Sequence, residues 1–511
     1  MPYSAQPAPT REARRGLFEL TAAARAELAG SKYFNKSLAP TSVAQRNWST
    51  YNIASLWIGM SVCLPAFTMA SGLVAMGLSP WMAVLNVALG NLIILIPIQL
   101  NSHVGTKYGI PFPVFARMTF GTVGAHIPSL SRAVTACGWN AIQSWFGGGA
   151  LVAMASVFVP SIRDMDNAHY VGFFVFLALA CAITAGGAGS IKIFEAIGAP
   201  VLIILTFCLF VWSFMLAGNG DAAGNTYTFG DVIRAASDTA LIEANGGFWY
   251  IFMAGLTSSV AFWATMALNI PDFSRYASSQ SAQFKGQLFG MPITMAVCAF
   301  VGAFFAQATK LVNLGGNGLP IFDPTEALNH IDRPVITFLI GFGVVIATVT
   351  TNIAANIVAP ANGFSNLWPK RISYRLGALI SCAIAVLYRP WWILSDAGNY
   401  IIGWLNVYGG ILAPIAAIFI ADYYIVKKRE ADVMSLYQGK SGKYWYTHGL
   451  NMNAVAAWIC GFILPTIGSA TALGSTGLFK MISANAYIFG FAVGFIVYLA
   501  LEALRKKPAG A

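Results

Sequence analysis

Residues 53–77 contain the run Ile53-Ala-Ser-Leu-Trp57-Ile-Gly59-Met-Ser-Val62-Cys63-Leu-Pro65 and carry no charge throughout. About 20 apolar residues are enough to cross the hydrocarbon of a bilayer. Proline lacks an N–H and clashes with the carbonyl four residues back, so a regular helix is disturbed near its centre here. Irregular backbone at membrane depth is tolerated only beside protein or a protein-lined cavity. The stretch therefore reads as a broken transmembrane helix with freed carbonyls around Gly59 to Val62. A simple proline kink is the alternative.

Eleven further apolar spans follow, at 81–102, 127–158, 170–189, 193–217, 248–271, 287–309, 334–361, 374–393, 398–422, 451–471 and 482–503. With the N-terminus on the cytoplasmic side, 24 of the 30 Lys and Arg fall in cytoplasmic segments and 6 in exterior ones. The 19 acids divide 9 to 10, so the bias belongs to the cations alone. That is the positive-inside pattern. An even number of spans puts both termini inside, and a multi-pass protein of the inner (cytoplasmic) membrane is expected.

Composition agrees. Hydrophobic residues make up 57% and charged residues 10%, against roughly 25% charged in soluble domains. The net charge of +11 is spread over short loops rather than gathered in a patch, which argues against nucleic-acid binding. Residues 1–49 lack the apolar core of a signal peptide and read as a partly disordered cytoplasmic tail. Residues 50–504 read as one transmembrane domain and 505–511 as a second tail. All seven Cys fall in apolar spans without metal-type spacing, so no disulfide is expected.

Polar groups in hydrocarbon are costly and need a reason. In the third span, Trp139 and Gln143 are four apart and share one helix face. An indole beside a carboxamide suits a flat heteroaromatic ligand with ring amides, since the amide both donates and accepts. The alternative for Gln143 is a bond to a neighbouring helix. The eighth span packs Thr348, Thr350, Thr351, Asn352 and Asn356 into nine residues. Thr350 and Thr351 present adjacent hydroxyls to a hard cation, and Asn356 is placed to meet a ligand; helix packing by small polar residues is the alternative. Trp263, in Phe262-Trp263-Ala-Thr265, is placed to stack opposite Trp139, with plain packing as its alternative. Asp272 and Arg275 end the sixth span as a solvated cap or gate pair. Gly147-Gly148-Gly149 reads as close helix packing. No metalloprotease, P-loop or nucleophile-elbow motif is present, so no enzyme and no cofactor is expected.

Long motifs in fixed order resemble the nucleobase:cation symporter family 1. They are Trp57-Ile-Gly-Met, Gly105-Thr-Lys-Tyr-Gly-Ile-Pro-Phe-Pro, Cys137-Gly-Trp-Asn-Ala-Ile-Gln, Leu268-Asn-Ile-Pro-Asp-Phe-Ser-Arg-Tyr, Asn352-Ile-Ala-Ala-Asn-Ile-Val-Ala-Pro and Ala421-Asp-Tyr-Tyr-Ile-Val-Lys-Lys-Arg. The resemblance runs from about Asn35 to Lys507. It implies an all-α fold of 12 transmembrane helices: a five-plus-five inverted repeat, like sodium-coupled amino-acid transporters, and two C-terminal helices. It implies a substrate site between broken helices 1 and 6 and helices 3 and 8. In a sodium-coupled, hydantoin-transporting member, the ligand lies between two tryptophans that align with Trp139 and Trp263. Its amide contacts align with Gln143 and Asn356. Its sodium ligands align with the carbonyls of Gly59, Val62 and Ala347 and the hydroxyls of Thr350 and Thr351. Cys63 stands where that relative has a substrate-facing Gln, and Phe262 where it has a Gly. Both changes argue against simply transferring a bulky 5-substituted hydantoin; a smaller ring such as uracil, or the ureide allantoin, suits the site at least as well, and the substrate is expected to be of uracil, allantoin or hydantoin type.

The function expected is import of a nucleobase or cyclic ureide by cation symport with alternating access. Na+ is the first choice of cation, because no acidic residue sits in the implied cation site; H+ is the other. A lipid bilayer, the substrate and the cation are the partners, and the chain is expected to act as a monomer. Transport of another solute, such as an amino acid or vitamin, is the second reading; a membrane enzyme or receptor is the third.

Overall fold

The first apolar helix, Thr50–Ser61, stops short, and Leu64–Ala75 begins on an axis turned by 56°. Between them Cys63 is fully extended, with φ −151° and ψ 155°. Pro65 falls in the first turn of the new helix, where its missing N–H breaks no bond and its fixed φ suits a helix start. The break is therefore an interruption of two residues rather than a kink. The computed structural model describes residues 10–34, 38–185, 188–331, 333–367, 371–470 and 477–505.

Six described helices are long and apolar enough to cross a membrane, or seven with the bent pair as one span. The long ones include Pro80–Tyr108, His126–Phe158 and Gln280–Leu311. Five shorter apolar helices, Ala168–Thr184, Ile203–Asn219, Phe248–Phe262, Tyr374–Leu387 and Met452–Thr466, fall where the remaining expected spans lie. The chain is a mainly helical, multi-pass membrane protein. The sixth span is also interrupted: Phe248–Phe262 ends at Trp263, and Ala264–Asn269 resumes. Tyr408 OH donates to the carbonyl of Ala261 at 2.8 Å, satisfying an acceptor at that break.

Helices come together where side chains are smallest. A Cβ at Gly148 would sit 2.4 Å from the backbone N of Phe173, and one at Gly147 would sit 2.1 Å from the ring of Phe176. The glycine run is thus the contact between the third and fourth spans. Gly302 does the same for the Gln280–Leu311 helix, 2.4 Å from the carbonyl oxygen of Phe67. Asp422, fully buried, accepts from Thr119 Oγ1 (2.8 Å) and Tyr498 OH (2.7 Å) and pairs with Lys427. The Ala421–Arg429 motif therefore ties three segments through one satisfied charge.

The N-terminal region, expected to be a partly disordered tail, contains ordered elements in its described part. Residues 1–9 and 35–37 of it, and residues 506–511 of the C-terminal tail, lie outside the described residues. Thr10–Arg14 and Leu17–Leu20 pair as a hairpin, and a short helix, Ala22–Ala29, follows. Arg46, 1% exposed, holds this region to the helices. It donates to the carbonyls of Thr106 (3.1 Å), Lys107 (3.1 Å), Phe18 (2.6 Å) and Thr41 (2.9 Å). The span-like periodicity used to read the rest of the chain is absent here, so long-range bonds of this kind left no local trace. Arg46→Ala strips a charged donor from four carbonyls, a loss on the order of 3 kcal/mol. Trypsin will then cut at Arg11, Arg14 and Arg15 faster than in the parent; equal rates would contradict this anchoring.

Candidate functional site

A cavity of about 1010 Å³ runs from the two broken helices toward the end of the molecule where Asp272 and Arg275 lie. Of the eleven residues singled out from sequence, nine line it: Gly59, Cys63, Trp139, Gln143, Phe262, Trp263, Thr350, Thr351 and Asn356. Val62 and Ala347 lie behind its wall, and both are buried.

The His126–Phe158 helix supplies one wall. Trp139 and Gln143 are 6% and 5% exposed, and the four-residue spacing turns both into the same space. Among the described residues Gln143 makes no hydrogen bond to protein. The interhelical bond that competed for it in the sequence is therefore absent. The carboxamide opens onto the cavity, where both its ends are free to meet a ligand.

The break after Phe262 supplies the facing wall. Trp263 is fixed by two neighbours: its Nε1 donates to Asn91 Oδ1 at 2.9 Å, and Trp57 meets it edge-on at 5.1 Å. Phe262 stands edge-on to both indoles, 5.0 Å from Trp139 and 5.2 Å from Trp263. It narrows the slot between them. Trp404 and Tyr408 brace the far side of Trp139 at 6.2 and 6.1 Å. Such edge-to-face pairs fix ring planes.

Asn356 lies in a single π-helical stretch, Ile353–Ile357, inside the eighth span. A wider turn of this kind displaces side chains from the α-helical stripe and recurs at functional sites. Asn356 Nδ2 donates to Asn352 Oδ1 (3.1 Å), and Asn352 Nδ2 donates to Asn140 Oδ1 (2.7 Å). Ser144 Oγ donates to the same Asn140 oxygen at 3.2 Å. This relay joins the third and eighth spans and orients Asn356, leaving its carbonyl oxygen open to the cavity.

Thr350 Oγ1 and Thr351 Oγ1 both donate to Ala347 O, at 2.8 and 3.0 Å. Three oxygens are thereby gathered within a helical turn, and Thr350, Thr351 and Gly59 line the same cavity. Their lone pairs are the kind of hard donors an alkali cation takes. Cys63, 5% exposed, adds a small apolar face. Sequence reading missed Asn91, Asn140, Trp57 and Tyr408. Their roles come from contacts far apart in the chain; for Asn91 and Asn140, an amide within an apolar span was the signal that could have found them.

With this geometry in hand, the comparisons are informative. The family described as "Permease for cytosine/purines, uracil, thiamine, allantoin" matches residues 40–494. The purine-uracil permease of Arabidopsis thaliana is 36% identical over 490 residues, spanning 93% of this chain and 79% of that protein. The allantoin permease of Bacillus subtilis is 33% identical over 483 residues, spanning 93% and 94%. Among solved structures, Mhp1 in its inward-facing conformation superposes with a TM-score of 0.73 at 22% identity, covering 91% of this chain and 93% of that one.

Proposed function

We propose, because this chain belongs to the family of permeases for cytosine and purines, uracil, thiamine and allantoin, that it imports a uracil- or allantoin-like compound with a cation. It is a transporter and not an enzyme. The observation that carries the substrate reading is the unpartnered Gln143 amide beside Trp139, in a cavity shared with Trp263 and Asn356. Two indoles hold a planar solute by its faces, and two carboxamides read its edge. Phe262 between the indoles restricts the size of that solute. An α-amino acid would want a charge opposite each of its ionised groups; the Trp, Gln and Asn set offers none.

In this reading Na+ is held by the carbonyls of Gly59, Val62 and Ala347 and the hydroxyls of Thr350 and Thr351. It binds first and draws the broken first helix against the eighth. That completes the ring site, so cation and substrate bind cooperatively and reciprocally. In a fold of twelve crossings, a five-plus-five inverted repeat plus two helices, the four-helix bundle then rocks against the rest and opens inward. The transmembrane domain spans residues 50–504 of an inner-membrane protein whose termini face the cytoplasm. A single chain is the transport unit in this reading.

The test is uptake of radiolabelled uracil and allantoin into proteoliposomes, competed by a panel of bases, ureides and hydantoins. Accumulation against a gradient, blocked best by small flat rings, is expected. Competition by amino acids alone would overturn the reading.

A further inference from the structure

Arg132 is on the same helix as Trp139, seven residues earlier, and so on the same face about 10 Å nearer the helix's N-terminal end, the side to which most of the chain's Lys and Arg fall. It lines the same cavity, 8% exposed. Among the described residues its Nε has no hydrogen-bond partner. With the Asn269 amide donating to Thr265 O at 2.7 Å, the Asn269 oxygen accepts from Arg132 Nη2 at 3.2 Å. Among the described residues no carboxylate oxygen lies within 4.0 Å of the guanidinium. Asp272 and Arg275 face the same part of the cavity, but one Asp272 oxygen is engaged by the backbone N–H of Phe112 at 2.8 Å.

A buried guanidinium with no ion pair within 4.0 Å among the described residues, only the longer-range attraction of Asp272, and incomplete hydrogen bonding is costly to keep. It offers only donors, in a planar fork that matches a carboxylate. The neutral ring proposed beside Trp139 lies too far along the helix to satisfy it. We infer that Arg132, steadied by Asn269, forms a second subsite in the cavity, on the Arg-rich side of the tryptophans, that binds the carboxylate of a small monoanion. Asp272 nearby disfavours ligands of higher negative charge. The subsite does not rest on the ring-substrate reading.

Orotate, a pyrimidinedione carboxylate, is a suitable probe. Its equilibrium binding to the full chain in nanodiscs is to be compared with that of uracil and allantoin. Arg132→Gln will weaken orotate about tenfold or more while changing the neutral ligands less than about threefold. Gln143→Ala will do the reverse. Arg132→Lys, which keeps the charge without the fork, will lose less than Arg132→Gln, showing that the effect follows charge rather than misfolding. The subsite is overturned if the parent protein does not bind orotate, or if Arg132→Gln leaves its affinity unchanged or lowers all three ligands alike. Arg132-dependent orotate binding without any neutral-ring binding would support the subsite and overturn the proposed substrate instead.

Discussion

Gln143→Ala will weaken binding of the transported ring about 5- to 150-fold, the equivalent of roughly 1–3 kcal/mol for a buried polar edge left unpaired. The parent side chain makes no hydrogen bond to protein among the described residues, so its removal breaks no hydrogen bond between helices. The variant should therefore keep its melting temperature while losing affinity, a split that a structural residue would not give. Asn356→Ala should lose as much affinity. It also deprives Asn352 Oδ1 of its donor, so a lower melting temperature is expected there as well. Titration of radiolabelled uracil and allantoin on purified protein reads both effects. Unchanged affinity in both variants would contradict the assigned edge-reading role.

Replacing sodium by choline at fixed pH will cut uptake about 5- to 150-fold, the usual span of coupling between two bound ligands. The physical reason is local. Ala347 O, Thr350 Oγ1 and Thr351 Oγ1 are drawn together by two hydrogen bonds, and without a cation nothing pulls the first helix onto them. Thr350→Val keeps the shape and removes one oxygen. It should raise the sodium concentration needed for half-maximal uptake while leaving maximal uptake at saturating sodium close to that of the parent. Undiminished uptake in choline would reject sodium coupling and turn attention to protons.

Much of this architecture could be read from residues near one another in the chain. Length and apolarity marked the spans, and Pro65 marked the break. Four-residue spacing placed Trp139 and Gln143 on one face. What stayed hidden depends on contacts between distant segments. Nothing around Phe262 said that its ring would stand against both indoles. The π-helical stretch that carries Asn356 has no residue signature of its own, since Ile-Ala-Ala-Asn-Ile suits an α-helix equally well. Arg132 is one of the cations whose distribution orients the chain, and its charge gives no sign that the side chain is buried in the cavity. The N-terminal hairpin was lost for the opposite reason. Its order comes from Arg46 bonding to carbonyls as far away as Lys107, and a composition rich in Arg reads as unstructured.

The most direct measurement is an experimental structure of the full chain with sodium and uracil or allantoin bound. The ring is predicted to lie between Trp139 and Trp263, within hydrogen-bonding distance of the Gln143 and Asn356 carboxamides. Density for the ligand elsewhere, with that slot empty or closed by Phe262, would contradict the account.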